Sequence, residues 1–229
     1  SNFIQVINNG FKSQWSVSLY KMGDKKSASE LMSLSFTRYL GIAGMIWAFL
    51  TLFLKEILII MTTNYYHDAY KFAPIIVLGY LFLGFGNIWS AGLHLENKAK
   101  WFWIFGSIGA TTNITLNFIF VPKYGLFAAA LTTLLSLSIQ PIGYYVITKN
   151  SYDIKLPYNS VILIFIIYFL IYVFSTTLSQ NVENLFILIL AKVAIFILFI
   201  KVNFLLDIIS TSDRDKLIST LFKTINPIK

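Results

Sequence analysis

The sequence predicts an all-α integral membrane protein with about seven transmembrane helices. Of its 229 residues, 57% are hydrophobic and 12% are charged, whereas a soluble domain is about 45–50% apolar and about 25% charged. The mean hydropathy is +0.71, and the apolar residues form runs of about 20, the length that crosses a bilayer. The chain has no cysteine, which excludes disulfides and thiolate chemistry.

The apolar runs divide the chain into spans joined by short loops, which makes consecutive helices antiparallel neighbours. The first span is the most polar, and the last two are the most apolar. We expect residues 1–147 to form one lobe, residues 148–206 to add two transmembrane helices and residues 207–229 to form a cytoplasmic amphipathic tail. The predicted spans are 1–20, 36–60, 72–92, 101–121, 125–147, 159–178 and 185–206.

The cations alternate between the loops, which predicts the orientation of the chain. The formal net charge is +8. Because the charged residues lie in the loops, they indicate membrane topology and not a nucleic-acid partner. By the positive-inside rule, the richer set of loops and the C-terminus are cytoplasmic. The first span then starts outside, and the chain begins without Met or a signal peptide, so we expect a missing N-terminal half. The richer set holds Lys21, Lys25, Lys26, Lys98, Lys100, Lys149, Lys155, Lys201, Arg214, Lys216, Lys223 and Lys229; the poorer set holds Lys55, Lys71 and Lys123.

Polar residues recur every three or four positions in four of the spans, which places them on one face of each helix. Lipid does not solvate such groups, so they face a water-filled cavity or another helix. Two interpretations stay open, lining of a substrate pathway and hydrogen bonding between helices. The candidates from these stripes are Asn8, Lys12, Asn87, Asn113, Asn117, Gln140 and Tyr144.

Three cations lie within spans, where each costs about 2.5–3.5 kcal/mol at mid-membrane. Lys12 either faces a cavity or extends to the interface, and Arg38 either anchors its helix or contacts substrate. Lys192 stands alone on an apolar helix, so we expect it to snorkel outward. No acidic residue is expected deep in a span, because Glu56 lies near an outer end. We find no metal-ligand spacing or catalytic triad, and we expect neither a cofactor nor an enzyme.

Residues 65–147 resemble the polysaccharide-transporter branch of the MOP (MATE-like) superfamily. The strongest match is the stretch 113–130, similar to that family's asparagine-bearing span, proline–tyrosine–glycine outer turn and small-residue helix; Phe127 stands where the family commonly has Gly. The stretches 66–78 and 92–100 resemble the entry into a span and a lysine-rich inner loop. Gln14 and Trp15, followed by a lysine-rich loop and Arg38, resemble the start of the second lobe.

The resemblance implies the C-terminal half of a Wzx-type flippase with two pseudosymmetric lobes. Such a protein would move an undecaprenyl-diphosphate-linked oligosaccharide across the bacterial inner membrane for O-antigen or capsule synthesis, in contact with polysaccharide assembly proteins. A diphosphate requires cations, and sugars suit Asn, Gln, Tyr and Trp, so Gln14 and Trp15 join the candidates. The alternatives are a multidrug or cation antiporter of the same fold, a lipid II flippase and a membrane glycan polymerase.

Overall fold

The computed structural model describes residues 25–181 and 184–206. Within these ranges the chain is helical and contains no strand, which confirms the predicted helical class. Five of the described helices are long and apolar enough to cross a membrane, as expected of a membrane-embedded protein. They are α1 (Lys25–Met61), α2 (Ala73–Leu95), α3 (Lys100–Lys149), α4 (Tyr158–Asn181) and α5 (Leu185–Leu205), and a 3-10 helix, Asn64–Lys71, lies between α1 and α2.

Helix α1 begins eleven residues before the predicted span at 36. No glycine or proline interrupts residues 25–36. Two serine hydroxyl groups in this stretch form hydrogen bonds with the segment before α4. Ser29 Oγ donates to the carbonyl of Asp153 at 2.6 Å, and Ser33 Oγ donates to that of Lys155 at 2.5 Å. The predicted span at 1–20 and the tail at 207–229 lie outside the described residues.

Helix α3 is a hairpin of two antiparallel arms. A straight helix of 50 residues would extend about 75 Å, more than twice the roughly 30 Å hydrocarbon core. The backbone turns at Gly125 (φ 60°, ψ −142°), in a region that glycine adopts most readily. The hydrogen bond from Asn113 Nδ2 to Ser136 Oγ, 2.9 Å long, joins the arms. We call residues 100–124 the first arm and residues 126–149 the second arm. Pro122 and Pro141 also lie inside α3, but only Gly125 leaves helical geometry.

Helix α2 packs in parallel against the second arm through glycines. A Cβ on Gly79 would lie 3.1 Å from Leu134 Cα, and one on Gly86 would lie 3.8 Å from Pro141 Cα. Both helices advance seven residues between these two contacts, so they run in the same direction. The absence of a side chain at Gly79 lets the backbones approach closely there, as is common between membrane helices, whereas at Gly86 a Cβ would fit at an ordinary contact distance.

Helices α1 and α4 are also parallel. Ser175 Oγ donates to the carbonyl of Thr51 at 2.7 Å, and Lys55 Nζ donates to the carbonyl of Ser179. These two bonds and the bond from Ser29 each join residues 124 positions apart. Residue numbers therefore increase together along the two helices, which means that α1 and α4 run in the same direction.

The contacts place the loops at two opposite ends of the helix bundle. At the lysine-rich end, where α1 and α4 begin, Lys25 Nζ lies 2.9 Å from Glu96 Oε1, and Lys98 Nζ donates to Ser151 Oγ at 3.0 Å. The hydrogen bond from Lys25 lowers the pKa of the Glu96 carboxyl. At the opposite end, where α1 and α4 finish, Tyr172 Oη donates to the carbonyl of Lys71 at 2.8 Å.

We expect the lysine-rich end to face the cytoplasm, because Lys and Arg concentrate in cytoplasmic loops. Single cysteines placed in this cysteine-free chain test the orientation with a membrane-impermeant thiol reagent on intact cells. Positions 66 and 181 should react, and positions 97 and 151 should react only after the membrane is opened. Strong labelling of position 97 in intact cells, without labelling of position 181, would reverse the orientation.

Candidate functional site

A polar groove opens between α2 and the two arms of α3. Its volume is about 370 Å³. Tyr80 of α2, Asn113 of the first arm, and Thr133, Ser136 and Gln140 of the second arm supply its polar groups. The rest of the lining is small or aliphatic, namely Leu83, Gly106, Gly109, Ala110 and Leu137. No lining residue carries a formal charge, so the groove offers neutral donors and acceptors in the membrane-spanning region.

Two glycines explain why the arms approach closely enough to form one wall of the groove. A Cβ on Gly109 would lie 3.0 Å from the carbonyl oxygen of Ser136, and one on Gly106 would lie 3.2 Å from Gln140 Nε2. Gly106 and Gly109 are three residues apart and therefore share a helical face. A side chain at Gly109 would meet the backbone of the second arm and push that arm away, whereas one at Gly106 would meet the movable end of the Gln140 side chain.

A chain of hydrogen bonds crosses the hairpin beside the groove. Asn117 Nδ2 donates to Asn113 Oδ1 at 3.0 Å, and Asn113 Nδ2 donates in turn to Ser136 Oγ. Thr132 Oγ1 donates to Asn117 Oδ1. Both asparagines thus hold the two arms together, and Asn113 also lines the groove. The two roles left open by the sequence, helix pairing and cavity lining, coincide at this residue.

Gln140 differs from these asparagines, because its side-chain amide makes no hydrogen bond to the described part of the chain. The residue is partly exposed and lines the groove. A primary amide offers two N–H donors and a carbonyl acceptor. Gln140 is therefore the groove residue whose polar group is most available to a ligand.

The other candidates from the sequence lie elsewhere. Arg38 of α1 and Asn87 of α2 are half-buried, and neither lines the polar groove. Tyr144 is buried, with its ring centroid 5.2 Å from that of Phe102, so it belongs to the packing between the arms. Asn8, Lys12, Gln14 and Trp15 lie outside the described residues.

Lys192 is not a snorkelling anchor, and the expectation that it extends outward is wrong. Its side chain is 0% exposed, and its Nζ lies 2.7 Å from Glu56 Oε1, whose side chain is 16% exposed. Glu56 lies five residues before the end of α1, near the end of its span as expected, but its side chain is turned into the bundle and pairs with Lys192. An ammonium group surrounded by apolar helices is stabilised by a nearby counter-charge, because water is too distant to solvate it. We call Glu56 and Lys192 the buried ion pair.

A signal for this pair was present in the sequence. Glu56 precedes the end of α1 at Met61 by five residues, and Lys192 follows the start of α5 at Leu185 by seven. The end of α1 and the start of α5 lie at the opposite end of the bundle. Glu56 and Lys192 are therefore each about 8–10 Å from that end along their helices. Opposite charges at equal depth on adjacent spans favour pairing.

Comparison of the chain with protein-family models, curated proteins and solved structures finds no match. What the protein does must therefore be inferred from its own residues.

Proposed function

We infer that this chain is part of a transporter that flips an undecaprenyl-diphosphate-linked oligosaccharide across the bacterial inner membrane, for the synthesis of a surface polysaccharide. The observation that carries this proposal is the polar groove, which places Asn113, Ser136 and Gln140 together within membrane-spanning helices. Polar groups inside a span are costly and mark substrate pathways.

The chemistry of the groove suits a sugar. Amide and hydroxyl groups donate and accept hydrogen bonds with sugar hydroxyls, and Tyr80 adds an aromatic ring to the lining. The diphosphate requires cations, for which Lys12 and Arg38 are the candidates in the sequence. The polyprenyl chain remains in the lipid. The protein's partners are then the other half of the transporter and the polysaccharide assembly proteins that receive the glycan.

The alternative functions fit the groove less well. A cationic drug favours a carboxylate in its pathway, whereas the lining of this groove has none, and the Glu56 carboxylate is already paired with Lys192. A glycan polymerase needs groups that transfer protons, and the lining contains no His, Asp or Glu. A lipid II flippase would handle a similar cargo, so export assays with defined lipid-linked substrates distinguish it from an oligosaccharide flippase.

Replacement of Gln140 by leucine is expected to reduce export without reducing the amount of protein. The amide has no partner in the described part of the chain, so its loss removes only hydrogen bonds to the cargo. One such bond contributes about 0.5–1.5 kcal/mol, which corresponds to a two- to tenfold loss of rate. The assay is complementation of a flippase-null strain, measured as surface polysaccharide on a gel beside the protein level in the membrane.

Gln180→Leu is the matched control, because Gln180 is exposed near the end of α4 and does not line the groove. This variant should export at the unaltered rate. Normal export by Gln140→Leu at a normal protein level would remove the groove from the pathway. Resistance to cationic drugs in the same strain, without restored polysaccharide, would favour the antiporter.

A further inference from the structure

Helix α5 is attached to the bundle differently from α4. Within residues 25–181 and 184–206, the buried ion pair is the one hydrogen-bonded contact between α5 and another helix. The remaining contacts of α5 are apolar, such as Phe196 against Phe49 with ring centroids 5.8 Å apart. The buried share of the most apolar stretch is similar in the two helices, 17% in α5 and 22% in α4, so the difference lies in their polar contacts.

Helix α4, in contrast, is fastened along its whole length. Tyr168 Oη donates to the carbonyl of Leu40 at 2.9 Å, and further bonds follow from Tyr172 and Ser175 toward the opposite end. Among the described residues, detachment of α4 would break several hydrogen bonds at once, whereas detachment of α5 would break one ion pair.

This difference matters in a bilayer because lipid tails are as apolar as the side chains they replace. Separation of two apolar helix faces in lipid lacks the hydrophobic penalty that it has in water, so packing and polar contacts decide whether the helices stay together. The apolar contacts of α5 are thus exchangeable for lipid. The buried ion pair is not, because a lipid tail offers no counter-charge to Lys192.

The junction between α4 and α5 is already open on one side. An apolar groove of about 310 Å³ separates them, with Leu170 and Phe174 on α4 and Leu198 on α5 among its lining. These three side chains are between 52% and 61% exposed. The groove lies on the outward side of the contact between the two helices, where the rings of Tyr168 and Phe199 have centroids 5.8 Å apart.

We propose that the buried ion pair is a latch, and that α5 is a detachable helix which it holds against α1. When the latch is closed, Glu56 compensates Lys192 and α5 stays in place. When it opens, the Lys192 side chain extends toward the start of α5 and reaches the interface, about 10 Å away along the helix. The bundle then opens laterally to lipid between α4 and α5, while α1, α2, α3 and α4 keep their contacts.

Spin-label distances in lipid nanodiscs test the latch, because the chain has no cysteine of its own. Cysteines at Ile59 and Leu190, which are 50% and 59% exposed, report the distance from α1 to α5. A second pair at Ile59 and Phe174 reports the distance from α1 to α4. In Glu56→Gln the α1–α5 distribution should shift to longer distances, with the long-distance population raised about three- to tenfold, and the α1–α4 distribution should not change.

Two double variants keep the test decisive if Glu56→Gln is poorly produced. Glu56→Leu/Lys192→Leu removes the latch without leaving a buried charge and should lengthen the α1–α5 distance, whereas the exchanged pair Glu56→Lys/Lys192→Glu restores the latch and should keep α5 at the short distance. An α1–α5 distribution in Glu56→Gln identical to that of the unaltered protein would overturn the latch. Equal broadening of both distances would also overturn it, since the pair would then support the whole bundle. A short distance in Glu56→Leu/Lys192→Leu, or a long distance in the exchanged pair, would show that the charge pairing does not hold α5.

Discussion

Substitution of Gly44 by alanine is expected to destabilise the bundle strongly. A Cβ at this position would overlap Tyr168 Oη and lie 2.7 Å from Tyr168 Cζ. The tyrosine has no room to withdraw, because it is 2% exposed and packs against Trp47 with ring centroids 4.9 Å apart. Its hydroxyl also donates to the carbonyl of Leu40. Overpacking costs about 1–3 kcal/mol, and loss of the buried hydrogen bond adds about 1–3 kcal/mol.

The measurement is the free energy of unfolding in detergent micelles, followed by tryptophan fluorescence. Gly86→Ala is the matched control, since its Cβ would meet Tyr144 and Pro141 at ordinary contact distances of 3.7–3.8 Å. That change should be neutral or slightly stabilising, because alanine favours a helix over glycine. A Gly44→Ala protein as stable as Gly86→Ala would mean that α1 and α4 are not in contact at this point.

The positions of the spans were accessible from sequence because they depend on the length of apolar runs alone. The predicted spans between 36 and 206 each correspond to a described helix or to one arm of the α3 hairpin. Which faces of neighbouring helices contact each other could not be predicted from the sequence. Whether Gly44 faces Tyr168 or Gly79 faces Leu134 depends on the rotation of each helix, and an apolar helix has no polar face that fixes its rotation.

The polar groove was partly predictable for the same reason. Asn113 and Gln140 lie on polar stripes, and these stripes gave the rotation of the two arms of α3, which meet along them. Asn87 and Tyr144 belong to similar stripes but do not line the groove, because spacing along one helix does not determine which neighbour fills the space beside it. The buried ion pair was not predicted, because neither helix alone shows that the two charges are neighbours.

Removal of one member of the buried ion pair is expected to cost far more than removal of both. Glu56→Ala leaves the Lys192 ammonium, which is 0% exposed, without a counter-charge, a loss of about 3–5 kcal/mol in the free energy of unfolding. Glu56→Leu/Lys192→Leu removes the desolvation penalty of both charges and should be neutral or stabilising by about 1–4 kcal/mol. Unfolding in mixed micelles compares the two variants with the unaltered protein, and a double variant as unstable as Glu56→Ala would contradict the pairing.

The chain supplies a matched control in Asp68 and Lys71, which also lie 2.7 Å apart but on the exposed 3-10 helix, with side chains 77% and 36% exposed. Water solvates each of these charges when the other is removed, so Asp68→Ala should change the free energy of unfolding little. The N–O distance is the same in the two ion pairs, whereas the burial of their side chains differs. A large cost for Glu56→Ala beside a small cost for Asp68→Ala therefore attributes the difference to the apolar surroundings of Lys192. Equal costs would show that Lys192 reaches water and is not enclosed between the helices.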